Sequence, residues 1–242
     1  MNEAEWQTRL DLAACHRMVA HFGVEDLTYN HISARVPGED ALLVKPLDFM
    51  FREVTASSLI KFGLDGSARA GTHRDAPNAI RVLHANVMLA RPDVHCVIHT
   101  HSVANVAVSV HPDGLLPLSQ HAYTLHDKVA IHTFGGYEFD LAMAAPLLRD
   151  LGQQPVALLR NHGVLVAEAS VAEAFVTHHF LEMACRIQVA ALAGGVQPVV
   201  PDAKTIAHGA RQVHAFQQTT RGNKDWPACL RLARNLYPDY QQ

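Results

Sequence analysis

A chain of 242 residues with 49% hydrophobic side chains carries enough apolar material for one large domain or two small ones. Its 20 Lys and Arg against 23 Asp and Glu give a net charge of -3, which excludes the clustered basic excess of a nucleic-acid binder and favours a small-molecule partner. No apolar run approaches the ~20 residues of a membrane span, and the acidic start Met1–Trp6 lacks the blocks of a secretory leader, so a cytoplasmic protein is expected.

No linker, charge block or repeat divides the chain, which reads as one domain over residues 1–242. A first helix is expected from about Glu3 to His21, with Gly23 as its stop signal. Strands follow at His31 to Val36 and Ala41 to Lys45, joined by the hairpin sequence Pro37-Gly38-Glu39-Asp40, and a third at Ser58 to Phe62. Ile80, Leu83, Val87 and Met88 share one face of a helix over Ala79 to Ala90, which Arg91-Pro92-Asp93 closes. A short, small-residue segment at Val103 to Val110 precedes strands at Leu115 to Leu118 and Lys128 to His132 and a helix at Glu138 to Leu151. Val156 to Ala167 reads as a hairpin folded around Asn161-His162-Gly163, with Asn161 stabilising the turn and Gly163 supplying its backbone angle. The longest helix, Ser170 to Ala193, starts with a capping-box pair, Ser170 and Glu173, and weaker helices follow near Ala203 to Gln218 and Ala228 to Leu236. This order suggests an α+β or three-layer αβα architecture with a largely antiparallel sheet. Cys15, Cys96, Cys185 and Cys229 lack Cys-x-x-Cys spacing and read as buried small hydrophobes of a reducing compartment.

The chemistry concentrates in Val97-Ile98-His99-Thr100-His101, where an apolar strand ends in His-x-His. Residues two apart on a strand point to one side, so His99 and His101 can reach one cation while Thr100 faces away. Among 17 histidines such a pair can also arise by chance, as core or surface histidines with satisfied hydrogen bonds. Position argues for ligands, because His99, His101 and His162 all terminate apolar runs, where an unpaired ring is costly. Three imidazoles with a fourth position open are the pattern of a catalytic metal site. The donor set suits zinc first, with manganese or iron as alternatives.

Several separated motifs resemble one family. They are Tyr29-Asn30-His31-Ile32-Ser33-Ala34-Arg35, Glu53-Val54-Thr55-Ala56-Ser57, the run Ala90 to Ser102, Leu116-Pro117-Leu118-Ser119-Gln120, and Arg160-Asn161-His162-Gly163-Val164-Leu165. Over about Arg9 to Ala193 the chain resembles the class II aldolase/adducin N-terminal domain family, leaving a helical tail over about 200–242. The resemblance implies a three-layer αβα sandwich around an antiparallel sheet, a homotetramer with active sites at subunit contacts, and metal ligation by His99, His101 and His162. In the family's sugar-phosphate aldolases a glutamate on the helix before the metal strand acts as acid/base. Here Ile80 stands in that place, and Asn78 and Ala79 replace the serines that hold substrate phosphate. These departures are shared with an adducin-like branch that includes metal-dependent decarboxylases.

Proton transfer then falls to other groups. The resemblance aligns His121 with a tyrosine that reaches the neighbouring subunit's site, and Tyr123 is a second candidate; an interface histidine and a packing tyrosine are the bland readings. Asn30, Ser33, Lys45 and Gln120 are the candidate substrate contacts. Lys45, ending an apolar strand, either snorkels to water or meets an anion. Arg160 reads as a salt-bridge partner, and His84 as a satisfied core-edge histidine or a donor behind the ligands. The function expected is a metal-dependent lyase cleaving a carbon–carbon bond of a small oxo- or hydroxy-acid, with decarboxylation ahead of retro-aldol cleavage. A non-catalytic adducin-like binding or assembly module and an iron-dependent oxidative decarboxylase are the rivals.

Overall fold

The computed structural model describes residues 1–69, 72, 74–137 and 139–242. Helix α1 (Glu3–His21) has the expected limits: the Asn2 side chain accepts from the Glu5 amide at 2.8 Å, and the chain leaves through Gly23 at φ +80°. Strands β1 (His31–Arg35), β2 (Ala41–Val44) and β3 (Ile60–Gly63) form an antiparallel meander. The next helix is not a regular 3.6-residue spiral. It runs as α2 (Asn78–Ile80), a π turn (Arg81–Ala85) and α3 (Asn86–Ala90), with His84 inside the widened turn.

Strand β4 (Cys96–Thr100) is followed by α4 (Val103–Ser109) and the short α5 (Gln120–Tyr123). The strand expected at Leu115 to Leu118 does not form. Pro117 has no amide hydrogen to give, and the Leu116 amide donates to the Gln188 side chain at 2.7 Å, so no neighbouring strand is engaged. Strand β5 (Val129–His132) and β6 (Val156–Leu159) pair in parallel, which requires a crossover, supplied by α6 (Ala144–Leu151). The expected start of that helix, Glu138, lies outside the described residues; a 3-10 turn at Leu141–Met143, capped by Asp140, leads into α6. Strand β7 (Gly163–Glu168) returns antiparallel to β6. Helix α7 (Val171–Leu192) is capped by Ser170, which accepts from the Glu173 amide at 3.1 Å. The reciprocal half of the capping box is missing among the described residues, because the Glu173 carboxylate faces Arg221 at 3.7 Å. Helices α8 (Ala203–Thr220) and α9 (Asp225–Leu236) complete the chain.

All seven strands form one mixed sheet in the order β3-β2-β1-β4-β7-β6-β5, antiparallel except for β5 against β6. Alternating side chains feed two cores. Cys96, Ile98, Val164 and Val166 join α1, α7 and α9 on one face, while Val97, Leu165 and Ala167 join the π turn, α3 and α6 on the other. This is the expected three-layer sandwich, with β4 and β7 in its middle. Among the described residues no helix is long and apolar enough to cross a membrane.

Candidate metal centre

The C-terminal end of β4 meets the β6–β7 hairpin because β4 and β7 are paired, with Thr100 opposite Val164. At that corner His99, His101 and His162 each offer a ring nitrogen, and the three atoms lie within 4.8 Å of one another. Their ring centroids are 4.5 to 4.8 Å apart. His101 falls one residue past the end of β4, yet its ring still turns to the same side as His99. Thr100 faces away as expected, its hydroxyl 2.8 Å from His178 on α7.

Hydrogen bonds fix the tautomers of two of these rings. A carbonyl only accepts, so His99 Nδ1–H donates to Val164 O at 2.9 Å; a carboxylate only accepts, so His101 Nδ1–H donates to Asp26 at 3.1 Å. His99 therefore presents its Nε2 lone pair, and His101 in its neutral form presents its own, the two nitrogens 2.7 Å apart; without a cation between them that contact is a hydrogen bond from His101 to His99. A shared cation suits that arrangement, and a carbonyl or carboxylate behind each ring is the usual support of a metal-ligating histidine. Burial, reinforced by the neighbouring imidazoles His101, His31 and His162, holds His99 well below the ordinary histidine range and keeps its ring neutral.

The hairpin that delivers His162 corrects one expectation. Asn161, at φ +60°, takes the left-handed conformation, whereas Gly163 is there for close approach: a Cβ at residue 163 would lie 2.4 Å from Thr100 O and 2.9 Å from His101 Cδ2. Gly163→Ala is accordingly expected to push the hairpin off β4, costing about 1–3 kcal/mol of stability and weakening any cation held by His101 and His162 together. Thermal melts with and without added zinc check this.

The candidate substrate contacts separate. Asn30 sits at the centre: its Oδ1 accepts from the His101 amide at 3.0 Å, and its buried Nδ2 has no hydrogen-bond partner among the described residues. Ser33 is fully buried and bonded to His84 Nδ1 at 2.7 Å, which closes it to substrate. Lys45 does not snorkel to water; its ammonium donates to Thr28 O and Pro46 O, and burial lowers its pKa to about 8. It borders a 510 Å³ cavity with Asp48, Thr72 and Arg74. Gln120, His121 and Tyr123 lie on α5 against α7 and α8, lining a 690 Å³ cavity with Phe180 and Phe216, and are not among the groups that meet the three histidines. Arg160 forms no salt bridge among the described residues; it donates to the carbonyls of Ser109, His111 and Pro112 at the end of α4.

Two residues escaped the sequence reading. Asp26 supports His101, and His31 lies opposite His99 in the β1–β4 register, with ring centroids 5.0 Å apart. The alternation of His31 with Ser33 could have placed both on the face of His99, but only once β1 was known to pair with β4. His84 is satisfied at both nitrogens, by Ser33 at 2.7 Å and by His31 at 2.6 Å. Ile80, which the resemblance sets in the place of the aldolase glutamate, is wholly buried in the second core.

The family profile described as Class II Aldolase and Adducin N-terminal domain matches residues 10–189. The chain belongs to that family. It is 39% identical over 246 residues to a protein of Pseudomonas aeruginosa whose name assigns it provisionally to aldolase class 2, covering 100% of this chain and 95% of that one. Alpha-adducin of Mus musculus is 40% identical over 201 residues, 81% of this chain but only 27% of adducin. A crystal structure of an aldolase II superfamily protein from Pseudomonas syringae superposes with a TM-score of 0.94 at 37% identity, covering 100% and 98% of the two chains. L-fuculose 1-phosphate aldolase from Glaciozyma antarctica PI12 shares the fold, with a TM-score of 0.83 at 23% identity over 99% and 93% of the chains.

Proposed function

We propose that this protein is a divalent-metal-dependent lyase that breaks a carbon–carbon bond beside the carbonyl or carboxylate of a small oxo- or hydroxy-acid, decarboxylation being favoured over retro-aldol cleavage. The supporting observation is the convergence of His99, His101 and His162 at one corner of the sheet, with two of the rings in the ligand tautomer. A bound cation, zinc first and manganese or iron otherwise, supplies Lewis-acid stabilisation of the charge left on the substrate. His99, His101 and His162 would hold it, the first two through Nε2, steadied by Val164 O and Asp26. Asn30 Nδ2, buried beside His101, is a donor for a substrate oxygen.

The preference for decarboxylation follows from Ile80. Departure of carbon dioxide needs no base to break its bond, whereas retro-aldol cleavage must remove a hydroxyl proton, and a core isoleucine cannot take it. His121, with Tyr123 as the second candidate, serves proton transfer across a subunit contact in a homotetramer, and Gln120 on the same short helix contacts substrate there. Lys45, facing the cavity beside β2, is retained as an anion contact. The four unbridged cysteines favour a cytoplasmic setting. The adducin identity favours a second reading, a binding module without chemistry. Protein purified with stoichiometric metal, and releasing carbon dioxide without aldehyde from a panel of small oxo- and hydroxy-acids, supports the lyase. Aldehyde release selects the aldolase, and metal-free protein that takes up no zinc, manganese or iron selects the binding module.

A further inference from the structure

A second group of imidazoles lies directly behind the candidate metal centre. His31 and Ser33, two apart on β1, face the same side of the sheet as His99, and the π turn lays His84 across them. The three side chains form one line: Ser33 Oγ to His84 Nδ1 at 2.7 Å, then His84 Nε2 to His31 Nδ1 at 2.6 Å.

That line has a direction. The Ser33 hydroxyl has no accessible surface, and its only hydrogen bond among the described residues is the one to His84. A buried hydroxyl that withheld its proton from its single partner would leave a donor unsatisfied, at a cost of about 1–3 kcal/mol, so Ser33 donates to His84 Nδ1. His84 then carries its proton on Nε2 and gives it to His31 Nδ1. His31 is left with its own proton on Nε2, on a residue that keeps 8% of its surface exposed. An imidazole in that form cannot ligate a cation through Nε2, in keeping with the absence of His31 from the converging set of ligand atoms.

We propose that His31 is a substrate-binding donor beside the cation, its Nε2–H presented to an anionic oxygen of the substrate and its tautomer set through His84 by Ser33. Ser33 and His84 are positioning residues in this arrangement. The substrate class narrows with it. With the His31 and His99 ring centroids 5.0 Å apart, a ligand with one oxygen at the three histidines and a second, negatively charged oxygen at His31 needs the two oxygens close together, and a 2-oxo or 2-hydroxy carboxylate, with oxygens on adjacent carbons, is the class that fits. The inference rests on the metal-dependent reading above.

Two measurements on the full chain test it. Long-range nitrogen–proton correlation spectra of protein labelled at histidine read the tautomers directly. His31 and His84 are expected as Nε2–H forms, and Ser33→Ala is expected to release His84 into a mixture of tautomers. A His31 proton found on Nδ1 overturns the proposal. Binding of oxalate to the zinc-loaded protein is the second readout. His31→Phe is expected to keep its zinc and lose oxalate affinity about 10- to 100-fold, and His31→Gln, which restores an N–H donor, to recover part of it. Equal oxalate affinity in wild type and His31→Phe, loss of zinc by His31→Phe, or no oxalate binding by zinc-loaded wild type each overturns the donor role. A wild-type chain that takes up no metal brings down the lyase reading instead, and the tautomers of the metal-free chain then decide the donor assignment on their own.

Discussion

Replacing His162 by alanine is expected to lower metal content from one equivalent per chain to a small fraction and to abolish lyase activity. The ring is only partly buried and stands on a hairpin turn whose amide still bonds to Leu159 O at 3.0 Å, so the fold survives its removal. Loss of a hydrogen bond behind a ligand already costs about 10- to 100-fold in metal affinity, and loss of the ligand itself costs more than that. Metal analysis of purified wild type and variant, with His126→Ala as a surface control, reads the result. Equal metal in the His162 variant and wild type would place the cation elsewhere or nowhere.

A second large effect is acid instability. His16, His84 and His178 are buried and neutral, desolvation lowering their pKa values to about 3, 3 and 4. Contacts act in both directions: the Leu12 carbonyl raises His16 while Lys45, Arg17 and His84 lower it, and Glu182 raises His178 while His179 and Arg186 lower it. In the unfolded chain all three titrate near 6.5. Between these values the unfolded state binds more protons, so stability is complete above about pH 6.5 and falls as the solution is acidified toward the folded-state values. Each buried ring that stays neutral costs about 1.4 kcal/mol per pH unit in that window, and a loss of at least about 2 kcal/mol is expected between pH 7 and pH 5. Urea unfolding at a series of pH values measures it, and His16→Phe should remove part of the slope. A midpoint unchanged over that range would mean that the rings are protonated in the native state.

What could be read from the residues follows the range of the forces involved. The end of α1 was legible because a glycine stop acts within a few residues, whereas the Asn2 cap at its start came to light only with the structure. The β1–β2 and β6–β7 hairpins were legible for the same reason. The three candidate ligands stood out because polar rings at the ends of apolar strands are conspicuous, and the fold does bring them together. His31 and Asp26 stayed hidden because they meet the centre only through a β1–β4 pairing and a loop contact that no local pattern announces. The π turn at Arg81–Ala85 was invisible to a 3.6-residue template, since the apolar stripe continues through it. Local propensity misplaced Leu115 to Leu118, where one side-chain amide on α7 takes the backbone's hydrogen bond. Gly163 was singled out for the wrong reason: its small size matters, and the unusual backbone angle belongs to Asn161.

The mid-sheet position of β4 and β7 has a consequence for the life of the protein. Whatever clasps His99, His101 and His162 together staples the two strands on which both hydrophobic layers are laid. Occupancy would then protect the whole molecule, because anything that binds only the folded form draws the equilibrium away from the open chain in proportion to its concentration over its dissociation constant. On the metal-dependent reading proposed above, cellular supply of the ion would then govern how long each copy escapes proteolysis as well as how fast it works.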